Sequence, residues 1–150
     1  LKRVIRAIEI FKTSGITMSE QIANSKKEPS PYELSYFALT APREYLYERI
    51  NKRVDMMLSE GLVDEVKALK EMGLDKTYNS MQGIGYKQTL DYLEGKMSLS
   101  ELAELIKQES RKYAKRQLTW FRRDERIRWA DITLYNTNEK LLECFYNEQC

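Results

Sequence analysis

Three groups of residues in this sequence have the types and spacing that recognition of an anion would use. The first is Ser80-Met81-Gln82-Gly83-Ile84-Gly85-Tyr86-Lys87, where a glycine pair precedes a stretch with helical spacing. Glycine lets a backbone turn sharply and approach another group closely. A loop of this kind that opens into a helix offers free N–H groups to a phosphate or a nucleotide backbone. The same pair is also ordinary punctuation for a tight helix–helix connection, and from the residues alone that is the simpler reading. It is not a Walker loop, because the glycine spacing differs and no Gly-Lys-Ser/Thr follows.

The second group is Ser110 to Arg123. Net charge is only +2 over 150 residues, yet Arg111, Lys112, Lys115, Arg116, Arg122, Arg123, Arg126 and Arg128 are opposed locally only by Asp124 and Glu125. Such a run creates a local positive field that attracts polyanions. Arg111, Lys115 and Arg122 fall roughly on one helical face, with Lys112, Arg116 and Arg123 beside it. Tyr113, Trp120 and Phe121 are interleaved with the cations and can stack on unpaired bases. The competing reading is a solvated basic face opposite a packed aromatic one. An exposed helix held by ion pairs alternates its signs, and this one does not.

The third group is Arg49 and Arg53, four residues apart beside an apolar stripe. Either can be a snorkelling edge residue or a fork aimed at a phosphate. Glu48 and Asp55 are available as ordinary helix partners, so periodicity leaves both readings open.

Other chemistries are excluded by composition. The chain has no histidine, and no nucleophile–base arrangement is visible. Cys144 and Cys150 are too few for a disulfide framework or a zinc site, so they read as incidental thiols in a reducing, cytoplasmic setting. Hydrophobic residues make up 42% and charged residues 32%, an ordinary globular balance. No apolar run approaches the roughly 20 residues needed to span a membrane. The first residues already have helix-interior spacing, which suggests a piece of a longer protein.

The elements that must position these groups are mostly helical. Val4, Ile5, Ile8 and Phe11 predict a helix stopped by Gly15, and Thr17 with Glu20 predicts a capping box for a short second one. Ser25 to Pro31 reads as a loop. Glu33 to Leu39 is the best strand candidate, short and aromatic-rich. Thr40 is expected to cap a helix running to Glu60, with Leu46, Ile50, Val54, Met57 and Leu58 as its apolar stripe. Val63, Val66 and Leu69 mark the next helix, and Tyr86 to Glu94 another. Ser98 and Glu101 open a long helix to about Arg123, on which Leu102, Ile106, Tyr113 and Trp120 are spaced for a core face. Ile127 to Thr133 is a weaker strand candidate, and Lys140 to Tyr146 a last short helix. On these grounds alone the chain reads as a mostly helical, RNA-binding fragment.

Five runs carry a resemblance to a known family. They are Arg3-Val4-Ile5-Arg6-Ala7-Ile8-Glu9, Arg49 to Met57, Gly61-Leu62-Val63-Asp64-Glu65-Val66, Ser80 to Lys87, and Tyr113 to Arg122. In order and spacing they resemble the C-terminal portion of bacterial tRNA dimethylallyltransferases (tRNA isopentenylpyrophosphate transferases), over Leu1 to about Asp131. The resemblance implies transfer of a dimethylallyl group from its diphosphate to N6 of the adenine beside the anticodon, with Mg²⁺ assisting. The adenine is expected to be flipped out of its loop. Arg53 matches an arginine that stabilises the transferring diphosphate.

Contacts to the anticodon stem-loop of tRNA are expected from three segments. They are Lys2, Arg3, Val4, Ile5 and Arg6; then Gln82, Gly83, Ile84, Gly85, Tyr86 and Lys87; then Lys115, Arg116, Gln117, Leu118, Thr119, Trp120, Phe121 and Arg122. Some relatives carry arginine where this chain has Gln82 and Lys87, so Gln82 keeps hydrogen bonding but loses a charge.

The family's P-loop, Mg²⁺-binding hydroxyl and aspartate base all precede the matched region, so this chain alone is expected to be inactive, and no metal ligand is expected within it. The implied parent fold is an α/β P-loop NTPase-like core with a helical insertion. Residues 1–31 would be the tail of that insertion, 32–133 the C-terminal part of the core with its tRNA-binding helices, and 134–150 a C-terminal tail. The fold class expected of the chain is mostly α with one or two short strands. The alternatives are a non-catalytic helical RNA-binding module and an interaction domain whose basic helix meets an acidic protein.

Overall fold

The computed structural model describes residues 1–25, 27 and 31–147, which form two compact units, Leu1–Ser35 and Tyr36–Cys150. The first unit is a helical hairpin, α1 (Lys2–Ser14) and α2 (Met18–Ser25). Gly15 ends α1 at φ +73°, and its N–H bonds to the Phe11 carbonyl. The capping box is present: Thr17 N–H donates to Glu20 Oε2 at 2.8 Å and Glu20 N–H to Thr17 Oγ1 at 3.2 Å. No residue of either helix is buried. Within Ser25–Pro31, residues 26 and 28–30 lie outside the described residues.

The second unit is built on α3 (Arg43–Ser59), α4 (Leu62–Glu71), α5 (Tyr86–Leu93) and α6 (Leu99–Phe121). One cluster joins them: Val54, Leu62, Val66, Met81, Leu90, Leu102 and Ile106, each at most 4% exposed. Val54 comes from α3, Leu62 and Val66 from α4, Leu90 from α5, and Leu102 and Ile106 from α6. Met81 comes from a 3₁₀ turn, Asn79–Gln82, that enters the glycine segment. Apolar burial of this kind contributes about 1.5–3 kcal/mol per large side chain. Thr89 is the buried polar residue among those described, and its hydroxyl donates to the Gly85 carbonyl at 2.8 Å. The box that opens α6 forms as its spacing predicts, with Ser98 N–H donating to Glu101 Oε2 at 2.7 Å and Glu101 N–H to Ser98 Oγ at 3.3 Å.

Two short strands, β1 (Phe37–Thr40) and β2 (Arg128–Asp131), pair in parallel, Phe37 opposite Arg128 and Thr40 opposite Asp131. The chain between them is the four-helix body, so the fold is mostly α with a small parallel sheet. Both strands are shorter than the spacing predicts. β1 starts at Phe37 and not Glu33. β2 stops at Asp131 because its carboxylate accepts the Thr133 N–H at 2.9 Å and turns the chain into a 3₁₀ segment, Ile132–Leu134. Thr40 is not a helix cap. It ends β1, and Pro42 is the first-turn boundary of α3, with no side-chain cap.

A last helix, α7 (Asn138–Tyr146), is capped by Thr137. Phe145 on α7 packs on Phe37 of β1 with ring centroids 4.8 Å apart. Cys144 is buried and disulfide-bonded, which corrects its reading as an incidental thiol. The Tyr135 hydroxyl donates to its Sγ at 3.1 Å. Cys150 lies outside the described residues.

Candidate functional site

A cavity of about 700 Å³ opens where α3, the glycine segment and α6 meet. Ile50, Arg53, Val54 and Met57 line it from α3, Gln82, Gly83 and Ile84 from the glycine segment, and Ile106, Ser110, Tyr113, Ala114, Arg116 and Gln117 from α6. Three segments that are far apart in sequence thus share one space. No carboxylate lines it, so the charge of its walls is positive.

The acids that periodicity offered to Arg53 are engaged elsewhere. Asp55 pairs with Lys107 of α6 at 2.8 Å, and Glu48 with Lys52 at 2.6 Å. Lys52's bond holds the Glu48 carboxyl below its ordinary range. Arg53 has no hydrogen-bond or ion-pair partner among the described residues, whereas Arg49 lies 5.8 Å from the Tyr45 ring centre. An exposed guanidinium at the rim of an apolar pocket retains its full set of donors for an anionic ligand.

The glycine segment is held firmly. Buried Met81 anchors it from below. The Gln82 amide donates to the Lys76 carbonyl, Gly85 N–H donates to Gln88 Oε1 at 2.9 Å, and the Tyr86 hydroxyl donates to Glu65 Oε1. That bond, with burial, raises the Tyr86 pKa and keeps the phenol neutral. Only one glycine of the pair needs to be glycine. Gly85 sits at φ +101° with Met57 Cε and Leu62 Cδ2 at 3.7 and 3.8 Å from where a Cβ would stand. Gly83 has φ −61°, a value that any residue adopts. The segment is therefore a tight connection and a cavity wall at once.

The basic helix is only partly self-neutralised. Lys112 pairs with Glu109 at 2.9 Å and Arg126 with Asp124 at 2.6 Å. The Lys112 bond lowers the Glu109 pKa, and the fields of Arg116 and Lys87 add to that shift. Arg111 Nη1 donates to Asn51 Oδ1 at 2.6 Å, a link between α6 and α3 that periodicity did not suggest. Lys115, Arg122 and Arg123 have no acidic partner among the described residues, and Arg116 lies 5.6 Å from the Tyr113 ring centre. Tyr113 and Trp120 are 49% and 69% exposed, so they are not core residues of α6 as their spacing suggested. The core ends at Ile106, and beyond it α6 presents aromatic rings and cations to the surface.

Of the residues expected to act, Arg53, Gln82, Gly83, Ile84, Arg116 and Gln117 line the one cavity. Gly85 is buried beneath it, Tyr86 and Phe121 are half-buried, and Lys87 is exposed. Lys115, Leu118, Thr119 and Arg122 line a different cavity. Lys2 to Arg6 begin α1 in the other unit. The apolar lining, Ile50 and Met57, was missed as site material. Its signal was position, since both lie within one turn of Arg53 on its own helix face.

The family model described as IPP transferase matches residues 1–124. The chain belongs to the IPP transferase family. A tRNA dimethylallyltransferase of Halalkalibacterium halodurans is 47% identical over 142 residues, which is 95% of this chain and 45% of the relative. One from Acetivibrio thermocellus is 46% identical over 143 residues, 95% of this chain and 46% of the relative. Among solved structures, the tRNA delta(2)-isopentenylpyrophosphate transferase of Staphylococcus epidermidis superposes with a TM-score of 0.75 at 37% identity. That alignment covers 98% of this chain and 48% of that one. The full-length tRNA isopentenylpyrophosphate transferase of Bacillus halodurans gives 0.73 at 43% identity, covering 98% of this chain and 44% of that one. The chain spans about half the length of the curated relatives it matches. Among the described residues no helix is long and apolar enough to cross a membrane.

Proposed function

We propose that this chain forms the tRNA-facing portion of a bacterial, cytoplasmic tRNA dimethylallyltransferase. Within it, Arg53 faces the diphosphate of the prenyl donor, and the α6 cations with the glycine segment face the anticodon stem-loop. The carrying observation is the shared cavity, in which unpartnered Arg53 stands across from Arg116 and the Gln82–Ile84 wall.

In the proposed reaction the adenine N6 attacks C1 of the dimethylallyl group as the C1–O bond breaks. The electron pair leaves with pyrophosphate, and N6 loses a proton. Charge builds on the leaving diphosphate, and a pre-placed guanidinium stabilises that build-up. The apolar lining from Ile50 and Met57 suits the five-carbon chain and strengthens the electrostatics by excluding water. Gln117 and Ser110 supply hydrogen-bonding groups at the same wall. The lining offers no carboxylate to take the N6 proton, so the base belongs to residues outside this lining.

Mg²⁺ would neutralise diphosphate charge, but the residues here do not fit it. Among those described, no group of three or more His, Cys, Asp or Glu residues is placed to hold a metal ion. In this proposal its ligands belong to the part of the relatives that this chain does not match. Residues 1–31 are the tail of the helical insertion, 32–133 part of the catalytic core and 134–150 a C-terminal tail.

The test is dimethylallyl transfer to an anticodon stem-loop by the full-length protein bearing this sequence. Activity that Arg53→Gln removes, with stem-loop affinity retained, supports the reading. Stem-loop binding with no transfer by the wild-type protein would make it an RNA-binding module instead.

A further inference from the structure

Two polar links cross between α3 and α6. Asp55 Oδ1 pairs with Lys107 Nζ at 2.8 Å, and Arg111 Nη1 donates to Asn51 Oδ1 at 2.6 Å. Residues four apart on a helix stand one above the other, as Asn51 and Asp55 do on α3 and Lys107 and Arg111 on α6. The partners run in opposite order, 51 with 111 and 55 with 107, so the helices are antiparallel and the links are two rungs between them. Tyr47, one turn before Asn51, adds its ring centre at 6.0 Å from the Arg111 guanidinium.

Every rung residue directly follows a residue that lines the Arg53 cavity. Ile50 precedes Asn51, Val54 precedes Asp55, Ile106 precedes Lys107 and Ser110 precedes Arg111. One residue turns a helix by about 100°, so on both helices the rungs stand to one side of the cavity row. Arg53 is two residues from both Asn51 and Asp55, about 200° round the helix, and so stands on the other side. None of the four rung residues lines the cavity itself.

Stability is not the main thing the rungs supply. Asp55 is 57% exposed, and ion pairs that exposed contribute little. Val54 and Ile106 hold the seam through the buried cluster. Loss of Asp55 strands no charge either, since Lys107 keeps Glu104 at 3.3 Å. Apolar contact is non-directional, and it leaves one helix free to roll or slide on the other. Hydrogen bonds are directional and fix that register.

We propose that Asn51 and Asp55 are positioning residues. With Arg111 and Lys107 they set the roll of α3 against α6, and through it the place of Arg53 across the cavity from Arg116. That Arg53 meets a diphosphate rests on the function proposed above.

The experiment uses the full-length protein bearing this sequence and reads dimethylallyl transfer to an anticodon stem-loop beside binding of inorganic pyrophosphate. Asn51→Leu combined with Asp55→Asn removes both rungs. Asn51→Asp keeps an acceptor for Arg111, Arg53→Gln marks full loss of the cavity's arginine, and Asp91→Asn breaks an ion-pair cluster outside the cavity lining. Expected in the combined variant is a fall in kcat of about tenfold to a hundredfold, the scale of a misplaced group, with the stem-loop KM within about twofold. Pyrophosphate should bind about threefold or more weakly, a part of the Arg53→Gln loss. Asn51→Asp should stay near wild type in both readouts. Wild-type kcat and pyrophosphate affinity in the combined variant overturn the proposal. So does an equal loss of kcat in Asp91→Asn, which would mean general destabilisation. A wild type that binds pyrophosphate without transfer overturns the proposed function instead, and the pyrophosphate arm then decides the rungs. A wild type that does neither overturns both.

Discussion

Arg53 of α3 and Arg116 of α6 line the same cavity from two helices, and no carboxylate lines it with them. Nearby acids exist, but each is committed: Asp55 to Lys107, Glu48 to Lys52, and Glu109 to Lys112. One of these pairs joins α3 to α6 and two lie within a helix, and together they leave both guanidinium groups without a carboxylate partner among the described residues. The two differ in setting. Arg53 stands beside the apolar lining of α3, whereas Arg116 lies among the surface cations of α6 and near the Tyr113 ring.

That difference predicts separable losses. On the proposed function, Arg53→Gln in the full-length protein bearing this sequence should lower kcat for dimethylallyl transfer by about 10²–10³, the usual cost of removing one transition-state charge contact. Stem-loop affinity should stay within about twofold. Steady-state kinetics with a parallel binding titration checks both. A rise in KM with unchanged kcat would show that Arg53 only binds the donor.

Arg116→Ala should do the reverse. Stem-loop affinity should fall, and the slope of log K against log salt should shrink by about 1 for one lost phosphate contact. The arm with Trp120→Ala separates charge from stacking. Its loss, on the order of 1–3 kcal/mol for a stacked base, should leave the salt slope unchanged. Filter binding across a salt series reads both variants.

Much of this layout was legible in the residues because local rules decide it. The Thr17/Glu20 and Ser98/Glu101 boxes start their helices where their spacing says, and Gly15, Gly61 and Gly95 stop theirs in left-handed backbone. Tertiary context overrode the spacing elsewhere. Tyr113 and Trp120 keep the period of Leu102 and Ile106, but the core they would enter ends at Ile106. Thr40 has the chemistry of a cap yet is taken by β1, whose partner β2 lies a whole four-helix body away in sequence. The freedom of Arg53 was illegible for a similar reason. Glu48 and Asp55 are both on its own helix, and only the packing of α6 shows that Asp55 faces Lys107.

The two glycines of the loop should respond differently to alanine. Gly85→Ala forces a side chain to φ +101° beside Met57 and Leu62, which should cost on the order of 1–3 kcal/mol. Gly83→Ala places its Cβ 3.6 Å from the Ser80 carbonyl at an ordinary φ, and should fall within about 0.5 kcal/mol of wild type. Urea unfolding measures both. Equal effects would mean that the loop does not hold this backbone in solution.

Acid should loosen the strap that holds α5 to the loop before it. Lys76 bonds Asp91 at 2.7 Å and Glu94 at 3.0 Å, and Lys96 bonds the same two carboxylates at 2.8 and 2.7 Å. Lys76 first and Lys96 second hold the Asp91 carboxyl below its ordinary 3.8, and Lys96 and then Lys76 lower Glu94. A carboxylate depressed in the folded state stabilises at pH above its unfolded value, and that contribution is lost as pH falls through the folded one. The melting temperature should therefore be level from neutral pH down to about 5 and then drop below about pH 4. Asp91→Asn should lower it at neutral pH and flatten the acid limb. A thermal melt series of both proteins decides the point, since an acid limb as steep in Asp91→Asn as in wild type would place the acid sensitivity in other carboxylates.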